Sequence, residues 1–254
     1  MSERAVLPKR VFSVQRGAER ASFDHGWLKT SHSFSFANYY DPRNVNWGAL
    51  RVLNDDRVAP GKGFGTHPHS DMEILTYVLQ GQLEHRDSLG SHGVVAAGGV
   101  QYMSAGTGVQ HSEFNHSAAK ELHFLQMWLL PGRLGEKPLY GQVEFEPEER
   151  IGKWLVIASG QPDVTAPVAL TQDASFMVSR LEGGTLRHVF QPGRLGFLFV
   201  ASGEVTVEGR GVEDLPAGEP AVLASGDAVR MSGITHLDLN GTGELVLWDL
   251  PLVA

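Results

Sequence analysis

The chain has no cysteine among its 254 residues. Disulfides, thiolate zinc sites, iron–sulfur clusters and cysteine nucleophiles are thereby excluded together, and any metal must be held by His, Asp or Glu. Positive charge is also scarce: 21 Lys and Arg stand against 29 Asp and Glu, a formal net charge of −8. A surface for nucleic acid or anionic membrane needs cationic groups to neutralise phosphates, so neither is expected as a partner. No apolar run is long enough to span a bilayer, and the opening MSERAVLPKRVFSVQRGAER lacks the apolar core of a secretory signal. These absences predict a cytoplasmic protein. Sustained 3.6-residue periodicity is nearly missing too, which leaves little room for helices.

What is there instead is a succession of short apolar runs, separated by Asn, Asp and many of the 30 glycines and 13 prolines. Trp47–Leu53, Glu73–Leu79, Leu122–Leu130, Trp154–Ala158, Phe197–Ala201, Glu204–Glu208, Ala221–Ala224 and Leu245–Leu250 have the length and composition of strands. The prediction is an all-β protein. An internal echo points to two related halves: TYVLQGQLEHRD, with a turn at Gly81, resembles FVASGEVTVEGR, with a turn at Gly203. Further on, AAGGVQYMSAGTGVQHSE resembles LASGDAVRMSGITHLD. Duplication of a barrel-like unit accounts for both, because a barrel closes on itself and removes its open edges. The stretch 131–147, rich in Pro, Gly and charge, is the expected connector. One unit is therefore expected over residues 1–135 and a second over 136–254.

Among the 11 histidines, two groups have ligand spacing. In Gly65-Thr66-His67-Pro68-His69, strand alternation points both imidazoles to one face, about 6–7 Å apart along the backbone. In His111-Ser112-Glu113 the imidazole and carboxylate likewise share a face. If the two strands oppose one another inside a barrel, three imidazoles and a carboxylate converge on a point that suits a divalent first-row metal. Glu73 has the same parity as His67 and His69 if no bulge intervenes, so the strand pattern allows either Glu73 or Glu113 as the carboxylate. In the second half, Val189 and Gln191 align with His67 and His69, while His236 and Asp238 mimic His111 and Glu113. No second metal site is expected there.

Other segments carry blander expectations. Asn54-Asp55-Asp56-Arg57 has the composition of a turn, and His85-Arg86-Asp87-Ser88 that of a solvated loop, with lining of the pocket entrance as a second reading that no pattern supports. The aromatic segment containing Trp27, His32, Phe34, Phe36, Tyr39 and Tyr40 is expected to pack against the barrel. The SAGTG run at Ser104–Gly108 is no phosphate loop, since no Lys follows it and no helix pattern opens there.

Gly61, His67, His69, Glu73 and Gly81 resemble the first cupin motif, and His111 and Asn115 echo the second. Closer still, FDHGWLKTSHSFSFANYYDP, GALRVLNDDRVAPGKGFGTHPHSDMEILTYVLQGQLEHRDSLG and SAGTGVQHSEFN resemble the pirin family over most of the N-terminal half. The resemblance implies a bicupin of two tandem jelly-roll barrels, with one metal in the N-terminal barrel held by His67, His69, His111 and Glu113. It favours Glu113 over Glu73, because His-Ser-Glu matches the pirin pattern residue for residue. It also implies quercetin 2,3-dioxygenase activity, in which O2 opens a flavonol and carbon monoxide leaves, with Glu113 as general base. Fe(II) is the first choice of metal, ahead of Cu, Mn, Ni or Zn. The alternative that the resemblance offers is a redox-dependent regulatory cofactor that binds a protein partner. A cupin acting on an unrelated small molecule is a third reading.

Overall fold

The computed structural model describes residues 9–211 and 218–252. Among these, helix is confined to two 3-10 turns, Gly17–Glu19 and Pro147–Arg150. None of the helices is long and apolar enough to cross a membrane. The rest is strand and loop, as the missing helical period requires.

Two compact units emerge. The first contains residues 20–147 and 158–173, and the second contains 9–19, 148–157 and 174–252. This division departs from the expected single cut after residue 135. The chain start belongs with the second unit because β1 (Val11–Gln15) pairs along its whole length with β18 (Ala228–Ser232). The segment 158–173 belongs with the first, where Glu73 captures the amides of Thr171 and Gln172.

The first unit is built from two sheets. Seven strands form the larger one: β2 (Ala21–Asp24), β3 (Leu28–His32), β4 (Leu50–Val58), β6 (Glu73–Gln80), β9 (Val100–Ser104), β11 (Leu122–Leu129) and β12 (Leu139–Val143). Their order is β12-β9-β6-β11-β4-β3-β2. The smaller sheet has the order β5-β10-β7-β8, from β5 (Gly63–His69), β7 (Gln82–Asp87), β8 (His92–Ala96) and β10 (Val109–Asn115). Two apolar clusters fill the interior: Val58, Val78, Leu122 and Phe124 belong to one, Ile74, Met103 and Val109 to the other.

Between these clusters the inward-facing positions turn polar. Ladder pairing sets Gln101 beside Thr76, Thr76 beside Gln126, Gln126 beside Asn54, and Asn54 beside His32. The result is one continuous row across β9, β6, β11, β4 and β3, and every member is buried. The row continues into β4 through Asn54-Asp55-Asp56-Arg57, which corrects the expectation of a turn. Strands β3 and β11 hydrogen-bond both edges of this segment, and tertiary pairing overrides its turn-like composition. Asp55, on the opposite face, binds Arg20 at 3.1 Å and His123 at 2.6 Å. Burial alone would raise its pKa, but these two partners hold the carboxyl below its ordinary value.

The second unit is a single antiparallel sheet whose path runs β1-β18-β16-β19-β15, with β17 (Ala221–Ala224) paired to β16. Its long strands are β15 (Ser175–Val189), β16 (Leu195–Arg210) and β19 (His236–Leu250). The expected turn at Gly203 is absent, because β16 runs through it with only a register shift between Val200 and Ser202. Gly203 sits at φ 85°, and a Cβ there would drive into the backbone of Thr242 and Gly243. Gly81, its counterpart in the echo, does end a strand, where the chain leaves the larger sheet for the smaller. The last residues of β13 (Leu155–Ser159) pair in parallel with β14 (Val168–Ala169).

Candidate metal centre

Strands β5 and β10 run antiparallel, with His67 directly opposite His111 and His69 opposite Val109. The ladder then slips: Glu113 faces Phe64, so β5 carries one extra residue between its His67 and Phe64 contacts. Gly63 permits this close approach, since a Cβ there would collide with the carbonyl of Glu113 and the Cα of Phe114. The three rings meet at centroid separations of 4.4 Å (His67–His111), 4.8 Å (His67–His69) and 4.9 Å (His69–His111). Their ligand atoms all lie within 4.8 Å of one another, and a second such group joins His111 to His85 and Glu113.

Counting protons along the cluster shows what it is arranged for. The carbonyl of Gly65 can only accept, so His67 Nδ1 donates to it at 2.8 Å, which leaves Nε2 with a lone pair. On the other side, His85 Nε2 donates to the Asp87 carboxylate at 3.1 Å. With His85 neutral, its Nδ1 is the acceptor for His111 Nδ1, 3.4 Å away. His111 Nε2 is thereby left as a lone pair as well, 3.0 Å from His67 Nε2. Two nitrogen lone pairs facing each other at that distance repel unless a cation lies beside both. Neutral imidazoles are also favoured here. Burial, then the His111 and His67 charges, lowers His69 to about 4, and burial, then the His67 and His85 charges, lowers His111 to about 3. The chemistry of the donor set fits a divalent first-row metal.

Glu113 is buried and fixed by both oxygens. Gln101 Nε2 donates to Oε1 at 2.6 Å and Gln126 Nε2 to Oε2 at 2.7 Å. These two donors come from the polar row of the larger sheet, so the seven-stranded sheet orients a carboxylate carried by the four-stranded one. Glu73 goes elsewhere. Its oxygens accept from the Tyr102 hydroxyl at 2.9 Å and from the amides of Thr171 and Gln172 at 2.7 and 3.3 Å. The parity that linked it to His67 and His69 is broken by a turn at residues 70–72, where Asp71 adopts φ 46°.

His85 corrects the expectation of a solvated loop. It is fully buried on β7, its ring stacked on Tyr140 at 4.1 Å, with Asp87 beyond it. Burial would raise Asp87, but the bonds from His85 and from the Ser91 and Leu89 amides outweigh it and lower its pKa. The only hint in the sequence was its two-residue spacing from Asp87. In the second unit, His188 Nε2 donates to Asp249 at 3.0 Å, and Arg194 binds the same carboxylate at 2.6 Å. Val189 is exposed there.

A cavity of about 460 Å³ opens beside the histidines. Trp27, Leu28, Phe36, Phe64 and Trp128 give it apolar walls, and His67, His69 and Glu113 border it on one side. The Trp128 ring meets His69 edge-on at 4.8 Å. Thr30, His32, Asn54 and Asp56 also line it, and burial pushes Asp56 up to about 7 against the pull of Thr30. The aromatic N-terminal segment therefore does more than pack against the barrel, since Trp27, His32 and Phe36 shape this space.

A two-domain cupin with an imidazole and carboxylate cluster inside its first barrel is what the fold and site define. The chain belongs to the pirin family: the Pirin family model matches residues 12–129, and that of the Quercetinase C-terminal cupin domain matches 155–249. A quercetin 2,3-dioxygenase of Escherichia coli K12 is 41% identical over 240 residues, covering 94% of this chain and 99% of the relative. A pirin-like protein of Caulobacter vibrioides is 46% identical over 205 residues, 80% of this chain and 86% of its own. Among solved structures, YhhW from Escherichia coli superposes with a TM-score of 0.85 at 36% identity, covering 96% of this chain and 99% of that one. The same bacterial pirin in complex with nickel(II) superposes at 0.84, also at 36% identity, over 96% and 100%.

Proposed function

We propose that this chain is a metal-dependent dioxygenase that opens flavonols, with His67, His69, His111 and Glu113 holding one divalent ion. The observation that carries the reading is the convergence of the His67, His69 and His111 ring nitrogens beside a clamped carboxylate at the edge of an apolar cavity. Fe(II) is the ion we expect to support turnover; an imidazole and carboxylate set also accepts Ni, Cu, Mn or Zn. When bound, the ion supplies Lewis-acid polarisation and a template for substrate and O2.

The chain's own residues do the rest. Glu113, held at both oxygens by amide N–H groups, takes the flavonol hydroxyl proton as general base. Trp27, Phe36, Phe64 and Trp128 exclude water and hold the flat rings by apolar contact. The cavity volume falls within the roughly 300–1,000 Å³ of pockets that take ligands of this size. Each turnover consumes one O2 and releases one carbon monoxide, the second product being the ring-opened ester acid that keeps both oxygen atoms. The names of the relatives support this substrate class.

The test is O2 uptake with carbon monoxide detection, using iron-loaded protein and quercetin, with His111→Ala as control. Uptake that vanishes in the variant is the expected result. A fully loaded protein that consumes no O2 overturns the reading.

A further inference from the structure

We propose that His85 and Asp87 are positioning residues for the metal: Asp87 fixes the proton on His85, and His85 fixes which ring nitrogen His111 presents to the ion. The inference rests on the reading of His111 as a ligand and adds how its tautomer and orientation are set.

The smaller sheet places β10 between β5 and β7. His111 therefore has His67 beside it on one strand and Asp87 on the other, while Glu113 has His85 as its neighbour on β7. The two nitrogens of the His111 ring divide accordingly, with Nε2 3.0 Å from His67 Nε2 and Nδ1 3.4 Å from His85 Nδ1. Neither His85 nor Asp87 borders the apolar cavity, so contact with a substrate does not account for them.

Both side chains are fully buried and firmly held. The His85 ring lies within 13° of parallel to that of Tyr140, at 4.1 Å. Room for Tyr140 comes from Gly93, which faces His85 across the β7–β8 ladder: a Cβ at Gly93 would collide with the Tyr140 hydroxyl and the Gln142 side chain. Asp87 divides its oxygens. Oδ1 accepts from the amides of Leu89 and Ser91 at 2.9 Å each, in the turn between β7 and β8, and Oδ2 faces His85 Nε2 at 3.1 Å.

These bonds carry orientation from a backbone turn to the ligand. Amides only donate, so they hold Asp87 as an acceptor and set its plane. An ionised carboxylate has no proton to give, so His85 Nε2 donates to it, and a neutral His85 keeps a lone pair at Nδ1. That lone pair takes the His111 Nδ1 proton and leaves Nε2 for the ion. Partners of this kind hold a ligating imidazole in one tautomer and one ring plane.

Asp87→Asn reverses the sequence of donors. Its oxygen is required by the two turn amides, which turns its NH2 group towards His85. The His85 proton must then sit on Nδ1, against the proton of His111 Nδ1. His85→Gln, by contrast, still offers an oxygen to His111 and an N–H to Asp87.

The test uses the full chain loaded with zinc, with nitrogen-15 in its histidines, and compares the wild type with Asp87→Asn, His85→Phe, His85→Gln and His111→Ala. NMR reads the protonated nitrogens, chelator competition reads zinc affinity, and the thermal unfolding midpoint is taken on each preparation. In the wild type His85 is expected to carry its proton on Nε2 alone and His111 on Nδ1 alone; in Asp87→Asn the His85 proton moves to Nδ1. Zinc affinity should fall about 10–100-fold in Asp87→Asn and His85→Phe, with most of it restored in His85→Gln. A wild-type His85 that is protonated at both nitrogens, or that binds zinc itself, overturns the proposal. So does affinity near wild type in both Asp87→Asn and His85→Phe. An equal loss in His85→Gln and His85→Phe that follows the unfolding midpoint assigns the pair to the fold and overturns it too. Full zinc retention by His111→Ala overturns the ligand reading itself, and the positioning role falls with it.

Discussion

Gln126 Nε2 lies 2.7 Å from Glu113 Oε2, a buried bond that joins the two sheets of the first barrel. With Gln101 on the other oxygen, it fixes the plane of a carboxylate that would otherwise rotate. Residues that orient a ligand without touching the ion matter nearly as much as the ligand. Gln126→Leu and Gln101→Leu are each expected to weaken metal affinity by roughly 10–100-fold, measured by competition with a chelator. Gln126→Glu should be worse than Leu, since it sets a second carboxylate against the first.

Glu73 and Glu113 are expected to separate cleanly. Glu73→Gln should leave metal content near that of the wild type and cost about 1–3 kcal/mol of stability, because one of the two oxygens that accept from Tyr102 and two amides becomes a donor. Glu113→Gln should lose metal, with a stability cost of its own because one oxygen that accepts from Gln101 or Gln126 becomes a donor, so metal content is what separates the two variants. Metal analysis and urea titration on the same two preparations decide it.

His32 gives the pH dependence. Burial, then the Arg20 and His25 charges, lowers its pKa to about 4. An unfolded histidine binds its proton near 6.5, so between pH 6.5 and 4 the unfolded chain takes up a proton that folded His32 refuses. Its contribution is present in full above pH 6.5 and is lost as pH falls towards 4. His32→Phe lacks this loss and should gain up to about 3 kcal/mol relative to wild type at pH 4 compared with pH 7.5. Equal pH profiles for the two proteins would count against a neutral, buried His32.

Gly63→Ala should be far more damaging than its size suggests. The added carbon runs into the Glu113 carbonyl and the Phe114 Cα as well as the Phe114 ring, so β5 must move away from β10. We expect loss of metal affinity and at least about 1–3 kcal/mol of destabilisation, with Gly65→Ala, which has open space, as the mild control.

The all-β fold was legible because strand-length apolar runs are local patterns. The shared face of His67 and His69 was legible for the same reason, since two-residue spacing alone puts side chains on one face, whereas His111 joins them only through the β5–β10 ladder. The double cupin was implied by the resemblance of the motifs around His67 and His111, the Gly203 half of the echo having predicted a turn that β16 lacks. Long-range pairing was not legible. Asn54-Asp55-Asp56-Arg57 looks like a turn in isolation, and only hydrogen bonds from β3 and β11 make it a strand. His85 looked solvated until Tyr140, 55 residues further on, was found stacked on it. Glu73 kept its parity on paper because nothing in the composition of residues 70–72 announces the left-handed Asp71.

The extra residue in β5 has a consequence that point substitution cannot imitate. Gly65 and Thr66 are exposed, and neither carries a side chain that the histidines need. Deleting Thr66 would nevertheless let the ladder close regularly against β10, and every residue on one side of the gap would change faces. All four proposed ligands would still be present in the sequence, with the His-Pro-His run intact. Either the pair turns outward to solvent or the strand gives up its hydrogen bonds to keep it inside. The information that aims these imidazoles is thus stored in a count of residues rather than in their identity, and a family comparison scored by identity alone would not register its loss.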